Sequence, residues 1–165
     1  MNHLNKQSQK HKIWKEKLNE LLKGKSSVVV IGIGNLEIPK DSHPYYLIKK
    51  LKSLNSPSFL AIWAGVAPEN FTGLIRKQFP ELVLLVDTFL TVEELPKVFL
   101  MEANKVSLST FLPSTHTISL ELLVKFITHS IHTSVYLFGI SSEITGLELE
   151  EVCSDFIKIL ASLYP

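Results

Sequence analysis

Cysteine is almost absent: of 165 residues only Cys153 carries a thiol, which excludes an intramolecular disulfide and any Cys-rich zinc cage. An excess of one charge is lacking as well. Seventeen Lys and Arg against sixteen Asp and Glu leave +1, so no chain-wide field draws in a phosphate backbone, and nucleic acid is not an expected partner. The longest apolar run, Phe59 to Ala67 with Gly and Ala counted, has nine residues. A membrane-spanning helix needs about 18 or more, so no membrane insertion is expected. The polar N-terminus shows no apolar h-region of a secretory signal, which makes a reducing cytoplasm the expected compartment. Two common hydrolase signatures are missing, the His-Glu-x-x-His of zincins and the Gly-x-Ser-x-Gly elbow. What is present, 45% apolar residues and a mean hydropathy of +0.20, suits one folded domain.

The first 25 residues stand apart. They hold seven lysines around a stripe of Ile13, Trp14, Leu18, Leu21 and Leu22, spaced for an amphipathic helix that ends at Gly24. Residues 1–25 are therefore expected to form an N-terminal helix with a frayed tip that docks on a domain spanning 26–165. From Ser26 onward, short β-branched runs alternate with helical periodicity. Strands are expected at Val28 to Ile33, Phe59 to Ala64, Glu81 to Val86, Val98 to Met101 and Ser134 to Ile140. Helices are expected from about Pro44 to Leu54, Pro68 to Phe79, Ile118 to His132 and Leu147 to Leu163. Such alternation predicts an α/β fold, a three-layer αβα sandwich around a mostly parallel five-stranded sheet, with one short edge strand antiparallel. In open sheets of this kind ligands bind beyond the carboxyl ends of the strands.

Three residues capable of holding a metal fall in strand-following positions: Asp41 after the first strand, Asp87 at the end of the third, and His116 before the fourth helix. Two carboxylates and an imidazole suit a first-row divalent ion and leave coordination positions open. Each also has a structural alternative: Asp41 as a helix cap, Asp87 as a turn stabiliser, His116 as a hydrogen-bonded core residue. Gly32-Ile33-Gly34-Asn35-Leu36-Glu37 begins like a dinucleotide fingerprint. Glu37 replaces its third glycine, however, and a polar loop delays the helix that would hold the pyrophosphate. His43 is read as an exposed loop residue that could supplement the site, and His129 and His132 as helix-terminal histidines. Glu69 and Asn70 are assigned to the first turn of their helix. Cys153 falls within the amphipathic terminal helix, which gives no support to a thiol nucleophile.

Gly32-Ile33-Gly34-Asn35 with Asp41, Ala67-Pro68-Glu69-Asn70, Leu85-Val86-Asp87, Ser114-Thr115-His116-Thr117 and Phe138-Gly139-Ile140 follow one another in an order that resembles the [NiFe]-hydrogenase maturation endopeptidases. The branch most resembled processes large subunits of the hydrogenase 3 type, and the similarity spans about residues 20–163. The resemblance implies a cytoplasmic, aspartic-type endopeptidase that removes a C-terminal peptide from a hydrogenase large-subunit precursor. It further implies that nickel carried by the precursor is the recognition element, with zinc or another divalent ion possible in its place. Asp41, Asp87 and His116 would bind the metal, and Asp41 and Asp87 would be catalytic. A proteolytically silent relative that acts as an assembly module is the alternative. Where the family commonly reads Gly-Asp-Asp-Gly this chain has Pro39-Lys40-Asp41-Ser42, so Lys40 must face solvent if a cation is to sit at Asp41.

Overall fold

The computed structural model describes residues 13–54, 56–91, 95–105 and 117–164. Five strands form one sheet: β1 (Val28–Ile33), β2 (Phe59–Gly65), β3 (Leu82–Phe89), β4 (Val98–Glu102) and β5 (Ser134–Ser141). Their order is β2-β1-β3-β5-β4. All neighbours are parallel except β4, which runs antiparallel to β5 at the edge. The expected α/β sandwich with its antiparallel edge strand is what forms.

Alternation along the central strands decides what each face meets. Val28 and Val30 of β1, with Leu82, Leu84 and Val86 of β3, enter one core. That core is closed by α1 (residues 13–22), α2 (His43–Lys52) and α5 (Gly146–Leu163). Val29, Ile31 and Ile33, with Val83, Leu85 and Phe89, enter the second core under α3 (Thr72–Lys77) and α4 (Thr117–Phe126). Both faces are thus covered, which is why these strands read as continuous apolar runs.

The N-terminal helix is integral to the first core. Trp14, Leu18 and Leu22 are buried, at the three- and four-residue spacing that put them on one stripe. Phe138 of β5 lies between the ring of Trp14, at 5.1 Å, and that of Phe156 on α5, at 4.9 Å, both in edge-to-face geometry. Such pairs contribute about 0.5–1.5 kcal/mol beyond their buried area. Lys17 Nζ donates to the Leu100 carbonyl at 2.8 Å, satisfying a polar group of the edge strand that would otherwise invite pairing with another chain.

Several expected boundaries shift. The third strand runs on to Phe89 because β5 extends to Ser141 and supplies partners for Asp87, Thr88 and Phe89; Asp87 therefore lies within the strand instead of at its end. The helix expected over Pro68 to Phe79 divides into a 3-10 turn (Pro68–Phe71) and α3, with Thr72 Oγ1 donating to the Glu69 carbonyl at 3.0 Å at the join. α4 passes into a π turn (Ile127–Ile131) that ends at His132 in the left-handed region, φ 59°. Among the described residues no helix is long and apolar enough to cross a membrane.

Candidate functional site

Buried polar side chains are costly unless satisfied, so their location is informative. Among the described residues, Asp41, Ser42, His43, Asp87, Thr88, Ser141 and Ser142 are buried at or just beyond the carboxyl ends of β1, β3 and β5; Thr133 is the buried polar residue elsewhere. One edge of the sheet therefore collects nearly all the buried polarity.

Asp41 ends a 3-10 turn, Pro39–Asp41, that leads directly into α2. Pro39 opens the turn where its missing N–H costs nothing. The chain reaches this turn through Gly34 and Asn35, and both hold it in place. The Asn35 backbone N–H donates to Asp41 Oδ2 at 3.0 Å, and Asn35 Oδ1 accepts the Glu37 N–H at 2.9 Å. A Cβ added at Gly34 would stand 2.2 Å from the Asp41 carbonyl oxygen, so only glycine lets the two segments approach this closely. Lys40 is exposed while Asp41 beside it is 8% exposed. The lysine thus meets the condition set by the sequence, facing water.

Asp87 has the parity of Val83, Leu85 and Phe89 and so lies on the α3 and α4 side of the sheet. It is 4% exposed, and its Oδ1 accepts the Thr88 N–H at 2.9 Å. On β5 its partner in register is Gly139, where an added Cβ would fall 2.2 Å from the Phe99 ring. β1 and β3 are adjacent, with Gly32 beside Val86, and the Asp41 turn packs against β3. The two aspartates therefore come out at the same edge, Asp41 in the turn after β1 and Asp87 within the neighbouring strand β3. Two buried carboxylates at one edge form an anionic environment whose chemistry fits a divalent cation. His116, the third expected ligand, lies outside the described residues.

His43 corrects an expectation. It is the first residue of α2 and only 4% exposed, because Pro44 and the helix start draw it inward; it is not an exposed loop residue. Burial lowers its pKa from 6.5, so the ring is neutral at pH 7. Among the described residues its Nδ1 and the buried Thr88 hydroxyl have no hydrogen-bond partner. Among the described residues no three His, Cys, Asp or Glu side chains group as a metal site, so His43 does not complete a set with the aspartates. Glu69 and Asn70 are exposed in the turn after β2, at the same edge. His129 is exposed on the π turn before β5, at the opposite end of the sheet, with Nδ1 donating to the Lys125 carbonyl at 2.8 Å.

Sequence reasoning missed a polar link that locks this edge. The Thr91 and Ser141 hydroxyls lie 2.6 Å apart, Ser141 Oγ accepts the Glu143 N–H at 3.2 Å, and the Ser142 N–H donates to the Phe89 carbonyl at 2.9 Å. Two serines directly after an apolar strand were the available signal. Beside the Asp41 turn a cleft of about 700 Å³ opens between α2 and the start of α5. Cys153 lies in its floor, 1% exposed, with its pKa pushed up from 9.0 to about 11 by burial.

No protein-family model matches the chain. It is 28% identical over 138 residues to the "Putative hydrogenase maturation protease MJ0631" of Methanocaldococcus jannaschii, covering 79% of this chain and 80% of that one. Among solved structures it is similar to the [NiFe] hydrogenase maturation protease HycI of Thermococcus kodakarensis, with TM-score 0.75, 23% identity, and 89% and 97% of the two chains covered. It is also similar to the hydrogenase maturating endopeptidase HybD of Escherichia coli, with TM-score 0.64, 16% identity, and 83% and 91% covered.

Proposed function

This chain belongs to the hydrogenase maturation proteases, which are endopeptidases, and from that premise we propose that its substrate is a [NiFe]-hydrogenase large-subunit precursor. It removes the precursor's C-terminal peptide in the cytoplasm once nickel has been inserted. Nickel enters with the substrate; Asp41, Asp87 and His116 grip it while precursor side chains still hold it. A site with three protein ligands suits this task, because its open positions accept a metal that keeps other ligands, whereas a closed four-ligand cage could not. A divalent ion such as zinc would meet the same donor set.

The observation that carries the reading is the pair of buried carboxylates at the carboxyl edge, one in the turn after β1 and one within β3, each with one oxygen held by a backbone N–H. A metal delivered by the substrate adds ligand bonds that metal-free substrate lacks, so the metal-loaded form is selected. Asp41 and Asp87 are the residues assigned to the reacting centre. Their carboxylate oxygens would hold the substrate metal and take the proton from a water attacking the scissile bond. The solvent-facing Lys40 supports the active reading over the silent one, since the substitution in the Asp41 loop puts its charge on the surface.

Incubation of the purified protein with nickel-loaded precursor tests the reading by mass spectrometry. The precursor is expected to lose its C-terminal peptide, metal-free precursor to stay intact, and the His116→Ala variant to leave both uncut. Stable binding with no shortening would instead establish the silent assembly module.

A further inference from the structure

The cleft between α2 and α5 is unexplained by the aspartates themselves. Its wall on one side is Leu36, Tyr45 and Tyr46, and on the other Leu147 and Leu149. Its volume of about 700 Å³ falls among those of ligand sites, roughly 300–1,000 Å³. Pro39, Ser42 and His43, which flank Asp41 on both sides, line one end of it. The cleft and the candidate catalytic edge are therefore continuous.

The exposed apolar residues tell the same story. Single exposed leucines are ordinary, but a cluster of them is not. Leu36 is 51% exposed, Tyr46 49% and Leu147 89%, all on segments that follow β1 or β5 and line this cleft. The charged pair in the lining, Lys50 and Glu150, is already joined at 2.7 Å, so the cleft presents no net charge to select an ionic ligand.

We propose that this cleft is the docking groove for an extended apolar segment of the polypeptide substrate, next to the bond cleaved at the Asp41 edge. The inference rests on the endopeptidase reading above. Charge complementarity favours this occupant: the walls are aliphatic and aromatic, the ion pair in the lining is internally compensated, and Pro39, Ser42 and His43 join the cleft to the turn that holds Asp41. Segment side chains bury against Leu147 and Tyr46 equally in the ground and transition states. The groove therefore governs KM and not kcat.

Steady-state cleavage of nickel-loaded precursor by Leu147→Ser and Tyr46→Ser variants tests this, with direct binding to the precursor measured in parallel. Both side chains are exposed, so the variants fold as the wild type does. KM, and Kd with it, is expected to rise about tenfold in each with kcat within twofold, from loss of apolar burial. Phe79→Ser, 82% exposed at the opposite end of the sheet, should change neither. Unchanged KM and Kd in both groove variants, with wild type cutting normally, would overturn the groove and leave the endopeptidase reading intact. A wild-type protein that neither cuts nor binds precursor would overturn that reading and the groove with it. If light scattering shows a dimer that Leu147→Ser dissolves while KM stays fixed, the groove is a contact between copies of this chain and the proposal is wrong.

Discussion

Replacing Gly34 by alanine should damage activity far more than folding. The added methyl would sit 2.2 Å from the Asp41 carbonyl oxygen, whereas ordinary contacts begin near 3.4 Å. The Asp41 turn must therefore retreat by about 1 Å. Backbone on both sides of the contact cannot rotate away as a side chain would, and the Asn35 N–H that holds Asp41 Oδ2 at 3.0 Å moves with it. Overpacking of this kind costs about 1–3 kcal/mol. A domain of this size has a reserve of about 5–15 kcal/mol, so nearly every molecule stays folded. Displacing a reacting group by about 1 Å, in contrast, lowers rate on the order of 100-fold. Urea unfolding and single-turnover cleavage of nickel-loaded precursor separate the two effects. Gly73→Ala is the control, because nothing lies within 4 Å of its added Cβ on α3; it should gain about 0.5–1 kcal/mol and keep full activity. If Gly34→Ala cleaved at the wild-type rate, the placement of Asp41 by the Gly34-Asn35 turn would not matter to catalysis, and the reasoning would fail.

Other perturbations test the scaffold. The raised Cys153 pKa means that the folded chain keeps a proton that the unfolded chain loses above pH 9.0. Its contribution is full below that pH and fades as pH rises toward about 11, by about 1–3 kcal/mol. Wild type should accordingly lose more stability than Cys153→Ala between pH 8 and about 10.5 in urea melts, and equal losses would refute the shift. Leu18→Ala should cost about 2–5 kcal/mol if α1 is part of the core, as its 0% exposure requires; a thermal melt that did not move would make the helix an appendage. Tyr164→Phe removes a buried bond of 3.0 Å to the Leu22 carbonyl. It should cost about 0.5–1.5 kcal/mol, the net worth of one hydrogen bond, since that carbonyl still accepts the Lys25 N–H at 3.1 Å, whereas an unchanged denaturation midpoint would show that water takes the hydroxyl's place.

The sheet was legible because both faces are buried. Val28 to Ile33 and Leu82 to Val86 carry no polar alternation, and in a chain with helices between them that pattern admits little besides a covered parallel sheet. Asp87 was read as the end of its strand because polarity was taken to end the run. Pairing with Gly139, two strand positions before Ser141, overrides that local signal. His43 was misjudged for a related reason. Loop polarity predicts exposure, but Pro44 starts a helix one residue later, and helix α2 carries the ring beneath the surface. The value of Gly34 at Asp41 could not be read from sequence, since the two are seven positions apart and meet through a backbone approach that leaves no mark in residue type. The groove beside them was equally hidden. Leu36, Tyr46 and Leu147 look like ordinary surface apolar residues until the fold brings the α5 start next to the Asp41 turn.

The central claim is that Asp41, Asp87 and His116 act as one unit on the precursor's metal. Single-turnover cleavage of nickel-loaded precursor by Asp41→Asn, Asp87→Asn, His116→Ala and the triple variant measures this directly. Residues that share one function are strongly non-additive. The predicted result is that each single variant loses about as much rate as the triple. Losses that multiply independently, or a wild-type rate in any one of the singles, would contradict it.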